Sequence, residues 1–202
     1  MKRGILIILF IGFAILIVGG FFVFKSKSNL EIPYNESLSA DKQIDYLGEQ
    51  TTIMHRDFKA IIKKDWQELE IPPSTYLYFP KETSKDDKNA EIISIVVSYL
   101  EENNSYTLES FLEKGLENSK QIIPDFELIE NIDKENEYFS GKRIRFSGTS
   151  ESVKRNFVQF FGIKYNNLYV ISYSCPIENC NSYAIYNSLV ESFEPIIAEI
   201  KT

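Results

Sequence analysis

The sequence predicts an α+β layered domain carried behind a single membrane-spanning helix. Three observations lead there: one uninterrupted apolar run near the N-terminus, a series of alternating or β-branched segments, and two amphipathic helical patterns that flank most of those segments. The apolar run is Gly4 to Phe24, GILIILFIGFAILIVGGFFVF, with no charged or strongly polar residue. As a helix it is about 31 Å long, close to the hydrocarbon thickness of a bilayer. In lipid the backbone must satisfy its own hydrogen bonds, so such a run has little choice but helix. Lys2 and Arg3 precede it, which fits either a signal anchor or a cleavable signal. The apolar run continues through Phe21-Phe-Val-Phe24, past the small residues Gly19 and Gly20, so an uncleaved anchor is expected. Lys25 and Lys27 balance Lys2 and Arg3, so the flanking charges do not set the orientation. The acidity of everything downstream points the body outward, with the N-terminus in the cytoplasm.

Residues 25–50 are polar, contain Pro33 and lack a sustained apolar period, and read as a flexible tether. A coil of that length has an end-to-end distance of about 28 Å. A globular domain is expected over 51–202. Phe58, Ala60 and Ile62 alternate with Lys59, Ile61 and Lys63 as in a half-buried strand, a stretch closed by Trp66. After Pro72-Pro73, Thr75 to Phe79 reads as a second strand ended by Pro80. Ile92 to Leu100 is β-branched and nearly continuous, as in a strand covered on both faces. Thr107 to Lys120 is the clearest helix, with Thr107 as N-cap and Leu108, Phe111, Leu112 and Leu116 on one face. Tyr106 and Phe111 stand as a hydrophobic staple. The interior Gly115 predicts a close neighbour that exploits its missing side chain.

Strands are expected at Phe126–Asn131, Lys142–Gly148, Lys154–Tyr165 and Leu168–Ser174, with Asn166-Asn167 as a two-residue hairpin turn. In the Lys142–Gly148 segment Ile144 and Phe146 point inward and Arg143 and Arg145 outward, a pair suited to an anion or, more commonly, to cross-strand carboxylates. A last helix begins near Asn181, capped by Asn181 or Ser182, with Tyr186, Leu189, Val190 and Phe193 on one face. Pro195 should stop it near Phe193.

With these elements in place, the chain resembles the PsbP-like and DcrB-like domain family. The resemblance rests on Trp66 with Tyr76-Leu-Tyr-Phe-Pro80, on Leu108-Glu-Ser-Phe-Leu112, and on Phe126-Glu-Leu-Ile129 with Gly141-Lys-Arg-Ile144. Leu168-Tyr-Val-Ile-Ser-Tyr-Ser174 and Ser188-Leu-Val-Glu-Ser-Phe193 complete it. It spans residues 57 to 198 and implies an α/β/α sandwich, a central antiparallel sheet flanked by helices. It also implies an accessory, binding role, since the family includes an extrinsic photosystem II subunit, DcrB-type envelope proteins and a nuclear-transport accessory factor. It carries no catalytic residues, and the N-terminal anchor favours the envelope role.

All 29 acidic residues but only 18 of the 22 Lys and Arg follow residue 28, so the body carries a net charge of −11. Phosphate backbones repel such a surface, and no nucleic-acid partner is expected. Cys175 and Cys180 bracket Pro-Ile-Glu-Asn; an even, closely spaced pair outside the cytosol suggests a disulfide, with two free thiols as the alternative. The spacing is neither a Cys-x-x-Cys redox motif nor a zinc site. Asn35 and Asn103 head glycosylation sequons, relevant only in a glycosylating host. A single histidine, His55, removes most histidine-based catalytic sets, and no phosphate loop, nucleophile elbow or metalloprotease motif is present. Asp133, Glu135 and Glu137 cluster without EF-hand spacing and read as a solvated loop before a weak Ca²⁺ site. No catalytic, cofactor or metal residues are therefore expected. The reading is an extracytoplasmic binding domain that presents a surface to a protein in the same membrane or envelope. The alternative is a carboxylate-dependent hydrolase.

Overall fold

In the computed structural model the described residues are 48–71, 74–83, 87–100, 107–123 and 125–197. The expected membrane span at 4–24 and nearly all of the tether lie outside them, as does Tyr106 of the expected staple. A small antiparallel sheet contains β1 (Gln50–Met54), β2 (Phe58–Lys63) and β10 (Glu194–Pro195), with β2 in the middle. A large antiparallel sheet contains β3 (Trp66–Ile71), β4 (Thr75–Pro80), β5 (Ile92–Tyr99), β6 (Glu127–Glu135), β7 (Ser140–Ser150), β8 (Val153–Lys164) and β9 (Asn167–Pro176). Its order is β3-β4-β5-β9-β8-β7-β6. Helix α1 (Leu108–Ile122) lies between β5 and β6 in the chain, and α2 (Tyr183–Ser192) between β9 and β10.

The sequence makes these elements for local reasons. Thr107 Oγ1 accepts from Ser110 N and Ser110 Oγ from Thr107 N, each at 3.2 Å, so two orphan donors at the start of α1 are satisfied reciprocally. Helix α2 ends at Ser192, and Pro195, which lacks an amide, falls in β10 opposite Phe58. The β8–β9 turn is Tyr165–Asn166, one residue earlier than the sequence suggests; both have positive φ (52° and 56°), and Asn167 already pairs with Lys164.

The expected α/β/α sandwich is not what forms. Among the described residues the molecule is mostly β, two sheets with two helices, because one face of the large sheet is shared by a helix and a second sheet. The stretch read as one strand closed by Trp66 breaks at Lys64–Asp65. Phe58–Lys63 joins the small sheet, while Trp66 opens a strand of the large one. The core is accordingly double. On one face α1 sets Phe111 and Leu112 against Val96, Phe146, Phe157, Phe161, Leu168 and Val170. On the other, Phe58, Ala60 and Ile62 of β2 and Ile185, Tyr186, Leu189 and Val190 of α2 cover Ile93, Ile95, Phe160, Tyr169 and Ile171. Gly115 is buried on α1, yet a Cβ built there meets nothing within 4 Å, so the expected close neighbour is absent among the described residues.

Candidate functional site

The end of β9, the start of α2 and the residue before β5 meet in one corner. Cys175 and Cys180 are joined there by a disulfide with their Cα atoms 5.1 Å apart, so the chain leaving β9 is tied to the loop that enters α2. Ser182 occupies the N-cap position of α2, but its hydroxyl does not cap the helix as expected; it donates to the Glu91 carboxylate instead. Glu91 also accepts from the amides of Asn181 and Ser182 and from the Tyr173 hydroxyl at 3.1 Å. A carboxylate held at a helix N-terminus meets the positive end of the helix dipole and satisfies orphan amides together. Behind it Arg155 is buried and donates to the carbonyls of Lys88 (2.7 Å), Ala90 (2.6 Å) and Ser174 (3.3 Å) and to Ser174 Oγ (3.0 Å). Burial lowers the Arg155 pKa, while the nearby Glu151, Tyr173 and Glu91 push it back up.

Beside this corner lies a small depression with a cavity volume of about 20 Å³. Val158, Asn156 and Tyr173 line it together with Arg145, the disulfide and Tyr183 of α2, and Ile129 of the edge strand β6. Asn156 Nδ2 approaches Cys180 Sγ at 3.7 Å. Arg143 and Arg145 follow the carboxylate reading. Glu130 takes Arg143 in a two-pronged contact (2.7 and 3.2 Å) and stands 3.9 Å from Arg145. Burial lowers the Arg143 pKa, but the hydrogen bond to Glu130 and the nearby carboxylate and phenols outweigh it and raise the pKa above its ordinary value. Arg145 thus supplies a positive charge and Asn156 an amide to a hollow whose other lining residues are apolar or aromatic. The lining holds no His, Asp, Glu or free Cys, so the pair of acids a hydrolase needs is not assembled there.

The other residues singled out by the sequence are dispersed. His55 sits at the β1–β2 hairpin with Nε2 2.9 Å from the Tyr78 hydroxyl and 3.4 Å from Glu68, its ring centroid 4.0 Å from that of Tyr76. Burial, with the Glu68 carboxylate, pushes the Tyr78 phenol far above its usual range. Asp133 pairs with Lys142 at 2.5 Å, and Glu135 accepts from Ser140. No group of three metal-ligating side chains forms among the described residues. Trp66 is a core residue. Sequence reasoning missed Glu91 and Arg155. Their signal was faint: an acid directly before a β-branched strand, and an arginine at an inward position of an alternating one.

No protein-family model and no curated protein matches the chain. Solved structures do. LpqN, involved in cell envelope biogenesis of Mycobacterium tuberculosis, is 14% identical with a TM-score of 0.52, covering 82% of this chain and 100% of that one. The Saccharomyces cerevisiae Ran-binding protein Mog1p is 12% identical with a TM-score of 0.50, covering 72% and 94%. A Bacteroides thetaiotaomicron protein is 13% identical over 77% of this chain, with a TM-score of 0.49, and the match spans 51% of its own length. The chain has the fold of LpqN and Mog1p, and identities this low establish the fold alone.

Proposed function

We propose that this chain is a membrane-anchored, extracytoplasmic binding domain of the PsbP-like and DcrB-like kind, without chemistry of its own. Residues 4–24 hold it in the membrane, residues 25–50 tether it, and the folded body presents its surface to another envelope protein. The observation that carries the reading is the depression beside the disulfide corner. It is a mainly aromatic and apolar hollow with one guanidinium and one amide, bordered by a cross-linked loop and an exposed strand edge. A disulfide suits an oxidising compartment outside the cytosol. Two proteins of the same fold, by name an envelope-biogenesis protein and a Ran-binding protein, accord with a fold used to bind other proteins.

A photo-reactive amino acid in place of Tyr183 tests this in intact membranes. It should capture one envelope protein, and Asn156→Arg should abolish the capture. Protease added to spheroplasts should remove the body and leave a membrane-bound stub. Capture of nothing, a protease-protected body, or steady turnover of a substrate by the purified chain would each overturn the proposal.

A further inference from the structure

The two halves of the disulfide at the corner of β9 and α2 have unlike surroundings. Both cysteines border the depression, but Cys175 is 1% exposed and shares a core cluster with Tyr173 and Tyr186. Cys180 is only half-buried, so a group arriving from solvent meets its sulfur first. Their polar neighbours differ too. Asn156 Nδ2 directs a donor at Cys180 Sγ from 3.7 Å, whereas Cys175 Sγ has the Asn156 carbonyl oxygen at 3.9 Å. A donor favours negative charge on the sulfur it faces, and a carbonyl favours a neutral S–H. The nearby amides of Asn181 and Ser182 are taken by Glu91, so the donor that serves Cys180 is Asn156.

The fold can also do without the bond. Its cysteines are five residues apart in the chain, and so short a loop is where a cross-link restrains the unfolded chain least. Hydrogen bonds already hold the same loop at both ends. Ile177 N donates to the Lys154 carbonyl at 3.0 Å and Asn179 N to that of Pro176 at 2.9 Å, while Asn181 and Ser182 donate to Glu91. With the sulfurs parted, Ile185, Tyr186, Leu189 and Val190 still seat α2 on the core.

We infer that Cys175–Cys180 is an exchangeable disulfide, opened at Cys180 by an external thiolate while the domain stays folded. The thiolate attacks Cys180 Sγ and bonds to it. The S–S bond breaks, and Cys175 leaves with the electron pair and takes a proton from water, its S–H then facing the Asn156 carbonyl. A second thiolate attacks the incoming sulfur of the mixed disulfide and releases Cys180. Two external thiols are oxidised to one disulfide, and the protein's disulfide is reduced to two thiols. Cys180 is thus the cysteine that exchanges and Cys175 the one that resolves. The co-reactant is a thiol, carried by a small molecule or by a protein dithiol. This exchange needs no partner in the depression and stands apart from the binding role proposed above.

Full-length chain in its native membranes, treated with reduced glutathione, quenched in acid and mapped by mass spectrometry, tests this. The expected adduct is on Cys180, and it forms at a rate proportional to thiolate concentration. Urea below the unfolding transition should leave that rate unchanged, because no global opening is needed. In Cys175→Ser, Cys180 should couple to oxidised glutathione about tenfold faster than Cys175 does in Cys180→Ser. Adding Asn156→Leu, which removes the donor, should slow the Cys180 reaction several-fold. Reduced thioredoxin at equal thiol concentration separates the two sources: faster reduction than by glutathione assigns a protein dithiol, slower reduction a small thiol. An adduct on Cys175, equal reactivity of the two cysteines, or a rate that climbs with urea as steeply as unfolding does would overturn the inference.

Discussion

Arg155 shows what a single buried charge does in this molecule. Its guanidinium gathers three carbonyls from the loop before β5 and from β9, and so fixes the loop on which Glu91 sits. Arg155→Met keeps the bulk but strands those carbonyls; breaking a buried charge network of this kind costs about 3 kcal/mol. Urea unfolding should show the loss, with Lys recovering only part of it because it lacks the fork. The tyrosines act in the opposite sense. Burial raises the phenol pKa of Tyr169 and Tyr186, as it does for Tyr78. A phenol whose pKa is higher folded than unfolded contributes stability that is complete below its unfolded value, about 10, and is lost as pH rises beyond it. Unfolding free energy should therefore hold up to about pH 10 and fall above it, and Tyr186→Phe should blunt the fall. Neither group was legible as a site in the sequence. Arg155 draws its partners from Lys88, Ala90 and Ser174, positions that only tertiary pairing brings together.

Among the elements, α1 was legible almost to the residue because its signals are local: a capping threonine and an apolar period. Gly115 was misread, since a missing side chain looks the same whether it admits a neighbour or faces space. The consequence is testable. Gly115→Ala should stabilise the fold by up to about 1 kcal/mol, the helix-propensity gain without a clash. Gly141→Ala should destabilise it severely, because a Cβ there falls 2.1 Å from the Phe161 carbonyl oxygen. Chemical denaturation of the two variants side by side checks both signs. The strands β1 and β3 escaped notice for a related reason. Gln50–Met54 is nearly all exposed, and in Trp66–Ile71 the tryptophan lies on one face while Leu69 and Ile71 lie on the other, so neither presents one clean apolar face.

For the molecule as a whole, the alternation of strands and helices was enough to find the layers but not to assign strands to sheets. Phe58–Lys63 reads identically whether it joins a large sheet or a small one. The pairing that decides, Phe58 with Pro195 and Lys59 with Glu194, spans most of the domain. The depression was invisible for the same reason, since its lining comes from β6, β7, β8, β9, α2 and the loop before it, and no local motif marks it. What the sequence did reveal of it is the pair Cys175 and Cys180, close enough in the chain to be read directly; Arg143 and Arg145, expected to face outward, are instead only 16% and 11% exposed, held against Glu130.

The large sheet is two meanders, β3-β4-β5 and β6-β7-β8-β9, sewn together along β5 and β9, where Ile92 faces Ser174 and Tyr99 faces Asn167. Every other neighbour in it follows its partner directly in the chain, so the loop that this seam must close sets the tempo of folding. A chain emerging N-terminus first has its β5 edge bare until β9 arrives, a window in which it is open to mispairing. Stopped-flow refolding should place the slow step at the seam. Val170→Ala, within it, should retard folding more than it hastens unfolding, whereas Val190→Ala, on a helix that docks afterwards, should do the reverse. The molecule's most central pairing is then also the last of its sheet to be made, and until it closes the half-finished sheet depends on whatever shields nascent chains from one another.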